Sequence, residues 1–468
     1  MKGNLSSTTS VVFAAVLCLC SDFTWASSDS ERIRALEMLV EQQQKMLENM
    51  NIELQRLKAG EAAIVEDIVI VDETITESVT EQKAKPDFSM EVYGFVRADA
   101  IYDFKRVDPD WNDTLRVSTI PTKSGTYGND GESIFSVRQS RLGVKGDYGP
   151  DVTYLLEAEL FGVGGDQGQT TPRLRHAWAT YKNFGMGQTW SNFMDPGVFP
   201  NTIDYWGPTG MVFYRNQQAR YSIPLGPDML SFSLEDPNTS FTVGRFRNVK
   251  ACDLPNPEPG CASTDSTAAD IFQAHNDLPD FTASYQKNGD FGHYKLAGIV
   301  RKLGYERLDN GDDGYKVGWG INASTVLNTW GQDNVKLEAV YGEGVGNYMN
   351  DGGVDIAPDS ADLDSAKAGT VPILGIVAYY DHYWNERWST SFGWSMTDLN
   401  TDDGQAGNEF EKGQIAQINL LHYPLDNVMM GGEFIWGQRE NIDGNKGSDY
   451  RVQFSLQVNF DSGNLFAR

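Results

Sequence analysis

The stretch YRVQFSLQVNF, Tyr450 to Phe460, alternates without a break. Tyr450, Val452, Phe454, Leu456, Val458 and Phe460 are apolar, and every residue between them is polar. Period two places the two sets on opposite faces of a strand. The run is about twice the five or six residues usual in soluble sheets and matches the roughly 9–11 of a tilted strand crossing a bilayer. The same alternation starts at Phe88, in FSMEVYGFVRADAIYDF, where Arg97, Asp99 and Asp103 share one face and Val96, Ala98, Ala100 and Tyr102 the other. It recurs in VTYLLEAEL, DFTASYQK, GHYKLAGIVRK and NVKLEAVYG. Between Ser89 and Phe460 about sixteen such runs can be counted, an even number as bacterial single-chain barrels have.

Connection lengths alternate too. Lys145 and Val152 are separated by a short polar turn, and Asn288-Gly289-Asp290 is another. The connections Phe104 to Ser133, Trp190 to Phe213, Glu235 to Pro279 and Tyr341 to Pro372 are long. Short turns at one end and long loops at the other describe an outer-membrane barrel, the only sheet that satisfies every backbone group in lipid. The net charge of −27 and mean hydropathy of −0.42 look soluble only because each lipid-facing residue is averaged with a lumen-facing one. The expected fold is therefore all-β: a transmembrane antiparallel β-barrel of about sixteen strands over residues 88–468, with its apolar face to lipid and its polar face to a wet interior.

Three segments precede it. Residues 1–26 read as a signal peptide, with an apolar run from Val11 to Cys20 and a cleavage site at Thr24-Trp25-Ala26. A run that short does not span a bilayer as a helix, which disfavours a single-pass anchor. Residues 31–59 carry heptads: Ile33, Val40, Leu47 and Leu54 recur every seventh position, with Leu36, Gln43, Met50 and Leu57 three residues after each. That seam predicts an α-helical coiled coil in the periplasm, and does not decide between dimer and trimer. The alternative is one amphipathic helix lying on its own protein. Residues 60–87 are an acidic linker rich in Glu and Thr. Cys252 and Cys261 bracket three prolines in CDLPNPEPGC and predict a small loop-closing disulfide; free thiols are the alternative.

Catalytic signatures are lacking. The chain has no GxSxG, HExxH or P-loop, and His176, His275, His293, His382 and His422 are scattered. In DNGDDG, Gly311 and Gly320 stand where a calcium loop needs ligands, so no metal site is assigned there. The acidic stretch Asp351 to Ser365 reads as a solvated loop, with a cation bridge to lipid phosphate as the alternative. The expectation is a non-enzyme without cofactor or nucleic-acid partner, set in outer-membrane lipid.

The arginines are more informative. Arg97 lies on the wet face beside Asp99; Arg138 and Arg141, Arg173 and Arg175, and Arg215 and Arg220 follow on early strands that neighbour one another in an up-and-down barrel. Guanidinium groups lining a narrow lumen attract small anions and bind carboxylates bidentately. Pairing of each with a lumen carboxylate such as Glu157 or Glu159 would cancel that preference. Arg138 and Arg141 have opposite parity, so both reach the lumen only if a bulge lies between them. The segment WSNFMDPGVFPNTIDYWGPTGMVF, with Asp195, Phe199, Asp204, Tyr205 and Trp206, is expected to fold inward and narrow the channel; an external loop or subunit contact is the competing reading.

The motifs VRQSRLGVKGDYG, TYLLEAELFG, LRHAWATYKNFGMGQTWSNFMD, NTIDYWGPTG, RNQQARYS and SFSLEDPN follow one another in the order and spacing of DcaP-like outer-membrane porins. The resemblance is dense from Val92 to Asn238, and the N-terminal heptads are similar to that family's periplasmic coil. It implies a sixteen-stranded homotrimeric porin of a Gram-negative outer membrane, passing small anionic solutes with dicarboxylates as the associated class. It places Arg138, Arg141, Arg173, Arg175 and Arg220 along the pore. A different class of function is a structural anchor or cell-wall tether whose barrel is not an open channel. One departure is the tail DSGNLFAR beyond Phe460, where many such barrels end on an aromatic residue.

Overall fold

The computed structural model describes residues 88–162, 171–248, 272–307 and 313–462. The signal peptide, the coiled coil, the acidic linker, the Cys252–Cys261 pair and the last six residues of the tail lie outside the described residues.

Strands fill most of the described chain. They run as β1 (Glu91–Asp103), β2 (Glu132–Ser136), β3 (Arg141–Tyr148), β4 (Val152–Glu159), β5 (Arg173–Tyr181), β6 (Phe184–Trp190) and β7 (Arg215–Leu225). Then come β8 (Asp228–Glu235), β9 (Phe272–His275), β10 (Asp280–Gly289), β11 (Gly292–Arg307), β12 (Asp313–Asn328) and β13 (Asn334–Glu343). The small hairpin β14 (Ile356–Pro358) and β15 (Ala368–Thr370) sits inside a long connection. The chain finishes with β16 (Pro372–Asn385), β17 (Trp388–Leu399), β18 (Phe410–Leu425), β19 (Val428–Asn441) and β20 (Lys446–Asp461).

All but the hairpin form one antiparallel sheet of 18 strands. β2 and β3 pair with successive halves of β1, and β9 and β10 both pair with β11, so each couple is one interrupted stave. The 18 strands thus make 18 − 2 = 16 staves. The barrel closes where β1 meets β20, from Tyr93↔Asp461 to Asp103↔Arg451. Antiparallel closure leaves no open edge, as lipid requires.

The alternation resolves as expected. In β20, Tyr450, Val452, Phe454 and Leu456 are 40–51% exposed, whereas Arg451, Gln453 and Ser455 are fully buried. The pattern of a soluble protein is inverted because the apolar solvent is outside. The bulge demanded by the parity of Arg138 and Arg141 is present. Asp99 pairs with Ser136 and Phe95 with Arg141, so three residues of β1 face four of its neighbour. A second bulge leaves Arg175 unpaired between Glu157↔His176 and Ala158↔Leu174.

The interior differs from a uniformly wet lumen. Connections 104–131, 191–214 and 344–371 fold into the barrel and build an apolar core there. Phe193, Met194, Val198, Met211 and Val212 pack with inward Ile299, Val340, Ile373 and Tyr379 and with Val345, Tyr348 and Met349. Leu115, Val117 and Ile120 pack on Ile415 and Ile435. The acidic stretch 351–365 is correspondingly not a solvated loop throughout. Asp351 accepts a hydrogen bond from the Ser118 N–H at 2.7 Å, and Asp355 is fully buried against Arg301 at 3.0 Å. Their partners lie inside the barrel, which the acidic composition of the stretch does not reveal.

Candidate functional site

The connection 191–214, between β6 and β7, crosses the lumen. A buried loop must find partners for its backbone, and here wall carboxylates supply them. The Asn192 N–H donates to Glu235 on β8 at 2.9 Å and the Val212 N–H to Glu338 on β13 at 2.9 Å. Ile203 and Asp204 donate to the two oxygens of Glu433 on β19, at 2.6 and 3.1 Å. Asn201 donates to Asp381 on β16 at 3.3 Å. Gly210 passes so close to β17 that a Cβ there would lie 1.9 Å from the Met396 carbonyl oxygen. The loop is tied to staves from the neighbouring β8 round to β19, and its apolar residues pack against β11, β13 and β16.

Every loop residue singled out from the sequence takes part. Asp195 is buried and accepts hydrogen bonds from the Gly197 N–H at 3.0 Å and the Ser324 hydroxyl at 2.6 Å, with His293 Nε2 at 2.8 Å. Burial raises its pKa, but the His293 and Ser324 contacts outweigh that and hold it below the ordinary 3.8. The Phe199 carbonyl accepts from Lys336 Nζ at 2.6 Å. Asp204 accepts from Thr114 Oγ1 at 2.8 Å and the Leu115 N–H at 3.0 Å. Tyr205 stacks on Phe161 with centroids 4.0 Å apart and donates its hydroxyl to Glu159 at 2.5 Å. Trp206 meets Trp111 edge to face at 5.2 Å.

Facing the loop is a cluster of charges on β3, β4, β5 and the start of β7. Glu159, fully buried, stands at its centre. Arg175 Nη1 is 2.6 Å away, Arg141 Nη2 3.6 Å and Arg215 Nη2 3.7 Å, and Arg173 is in direct contact. Glu157 meets Arg175 Nε at 2.6 Å and Arg141 Nε at 3.5 Å, and accepts from the Tyr93 hydroxyl at 2.6 Å. Four guanidinium groups therefore surround two carboxylates, an excess of 4 − 2 = 2 positive charges. Trp190 lies under two of the four, with Arg215 and Arg175 5.1 and 5.5 Å from its ring centroid.

The seven arginines separate by exposure. Arg173 and Arg141 keep 31% and 24% of their side-chain surface open, while Arg175, Arg97 and Arg138 keep less than a tenth. Arg97 is committed to Asp99 at 3.0 Å and to the Ile203 carbonyl. Arg138 is committed to Asp113 at 2.7 Å and to the face of Phe161 at 4.4 Å. Arg215 is largely buried, and its Nη1 has no hydrogen-bond partner among the described residues. Arg220 is held by neutral acceptors, Gln218 Oε1 at 2.6 Å and the Trp190 carbonyl at 2.5 Å, and has no ion pair among the described residues.

Sequence reasoning passed over Arg116. It lies in the inward connection 104–131, 4.7 Å from the Trp206 ring centroid and 31% open, with Asp351 at 3.4 Å. Nothing periodic marks a loop arginine. The anchoring role of Glu235, Glu338, Asp381 and Glu433 was also hidden, because an inward carboxylate has the same sequence signature whether water or a loop N–H meets it.

A closed sixteen-stave barrel whose connection 191–214 folds inward has the architecture of an outer-membrane porin. Within that class, residues 22–229 match the model of the DcaP outer membrane protein family, which establishes the DcaP-like resemblance read from the motifs. The fold aligns with the crystal structure of the outer membrane channel DcaP of Acinetobacter baumannii, with a TM-score of 0.64 and 24% identity, over 82% of this chain and 100% of that one. An anion-selective porin from Comamonas acidovorans aligns at a TM-score of 0.49 and 11% identity, over 80% and 100% of the two chains. OmpT of Vibrio cholerae aligns at 0.46 and 10%, over 81% and 100%. No curated protein matches.

Proposed function

We propose that this protein passes small anionic solutes, dicarboxylates among them, by passive diffusion through a channel narrowed by the inward loop. The observation that carries the reading is the surplus of two positive charges in the cluster of Arg141, Arg173, Arg175 and Arg215 with Glu157 and Glu159. Charge of one sign in a confined, low-dielectric space raises the local concentration of counter-ions. Within the cluster, Arg141 and Arg173 are the contact residues for a passing carboxylate, because both side chains are fixed yet partly open. Arg175 positions the two glutamates, and Arg97 and Arg138 brace the wall. Arg215 and Arg220 add positive potential without meeting a full counter-charge.

The working unit in this proposal is a homotrimer in the outer membrane, with residues 31–59 as its periplasmic coiled coil after removal of residues 1–26. Residues 60–87 tether the coil, and Cys252 and Cys261 close a small disulfide loop. Single-channel recording in a planar bilayer tests the reading: steps in threes and anion preference are expected. The apolar core inside the barrel favours one rival, a largely plugged barrel that serves as anchor or tether. Folded, inserted protein that passes no current would establish that rival.

A further inference from the structure

The outer wall carries a groove that the channel does not use. Its volume is about 560 Å³, and it lies across β10, β11 and β12. Ala283, Gly298 and Ile321 are register partners across the three strands. The first two form the floor of the groove, while Ile321 stands beside them with half of its surface open. Phe281 and Val300 rise on one side of the floor, and Tyr285 and Leu296 on the other. These four are 40–57% exposed, on the face that the alternation turns toward lipid.

Gly298 needs no special backbone conformation and guards no close approach. A Cβ built on it would meet nothing nearer than the Gly320 carbonyl oxygen at 3.8 Å, whereas one on Gly304 in the same strand would strike the His275 carbonyl at 2.2 Å. The hollow at Gly298 is therefore left open on the outside, not filled by the protein.

We propose that this groove holds one acyl chain of an outer-leaflet membrane lipid. β11 and β12 have 16 residues each. At about 3.4 Å per residue and a tilt near 40°, staves of that length overspan the roughly 25 Å apolar band. Gly298 lies mid-strand and so inside the hydrocarbon. Four residues on, toward the end with long loops, Lys302 pairs with Asp277 at 2.6 Å and leans over Tyr315 at 5.0 Å. Both charged side chains remain about a third exposed. A charged pair beside an aromatic ring suits head-group depth. A protein partner covering the groove would have to desolvate that pair, whereas a lipid leaves it hydrated.

The test is native mass spectrometry of the full chain extracted in mild detergent and supplied with lipid A of one defined acylation pattern. Wild type should retain one lipid per chain beyond the exchangeable annulus. Gly298→Leu fills the groove and should lower that retained fraction about tenfold, the effect of losing roughly two methylene contacts. Its conductance and heat-modifiable gel migration should match wild type, because the change faces away from the lumen. Ala283→Leu is the second variant, should Gly298→Leu fail to insert, and the same loss is expected. Equal lipid retention in a folded variant overturns the proposal. So does an altered oligomeric state with unchanged lipid, which would make the groove a contact between copies.

Discussion

Arg173 and Arg175 stand two residues apart on β5, touch the same glutamate, and differ in what the fold asks of them. Arg175 keeps 6% of its side chain open and bridges Glu157 and Glu159; Arg173 keeps 31% open. Removing one partner of a buried pair leaves an uncompensated charge and costs about 3–5 kcal/mol. Arg175→Gln is therefore expected to lower the unfolding free energy measured by denaturant titration in detergent by an amount of that order. Arg173→Gln should lower it by much less, since its side chain is partly open and Glu159 keeps Arg175, Arg141 and Arg215 as counter-charges, and should weaken anion preference instead. Equal destabilisation by both variants would contradict the division between bracing and contact residues. Asp195 supplies the pH dependence. Its carboxyl is held below the ordinary 3.8, so the stabilisation it gives is fully present above that value and is lost as the pH falls through the depressed one. Asp195→Asn should flatten the loss of thermal stability expected on acidification below about pH 4.

At the scale of elements, the inward connection 191–214 depends on how closely its backbone approaches the wall. Gly210→Ala places a Cβ against the Met396 carbonyl, and the loop must shift away while the barrel stays closed. The expected result is a larger or noisier single-channel conductance with unchanged heat-modifiable migration; wild-type conductance would show that the crossing tolerates the methyl group. The staves themselves were legible because period two records which side each residue faces, and even the bulge between Arg138 and Arg141 followed from parity. The inward path of the loop was a reading of its aromatic and Pro-Gly content, and that content is equally compatible with an external loop. What decides the path is the set of N–H groups from Asn192, Ile203, Asp204 and Val212 reaching Glu235, Glu433 and Glu338. Those contacts join residues far apart in sequence, and no local pattern encodes them. The apolar filling from 344–371 was hidden for the same reason, behind an acidic composition.

At the scale of the molecule, the barrel separates two roles around its circumference. Staves from β8 to β19 carry the packed core and the carboxylates that accept the N–H groups of 191–214, while β3 to β7 carry the arginines that remain partly open. In the proposed channel, the charge that a solute meets is set by a small part of the wall, in a chain whose overall charge is −27. That contrast makes selectivity the most direct test. The measurement is the reversal potential across a planar bilayer in a salt gradient, for wild type and for the double variant Arg141→Gln/Arg173→Gln. The account predicts a sign reporting anion preference in wild type, moved to zero or beyond in the double variant as its two positive charges are removed. Cation preference in wild type, or an unchanged potential in a folded double variant, would contradict it.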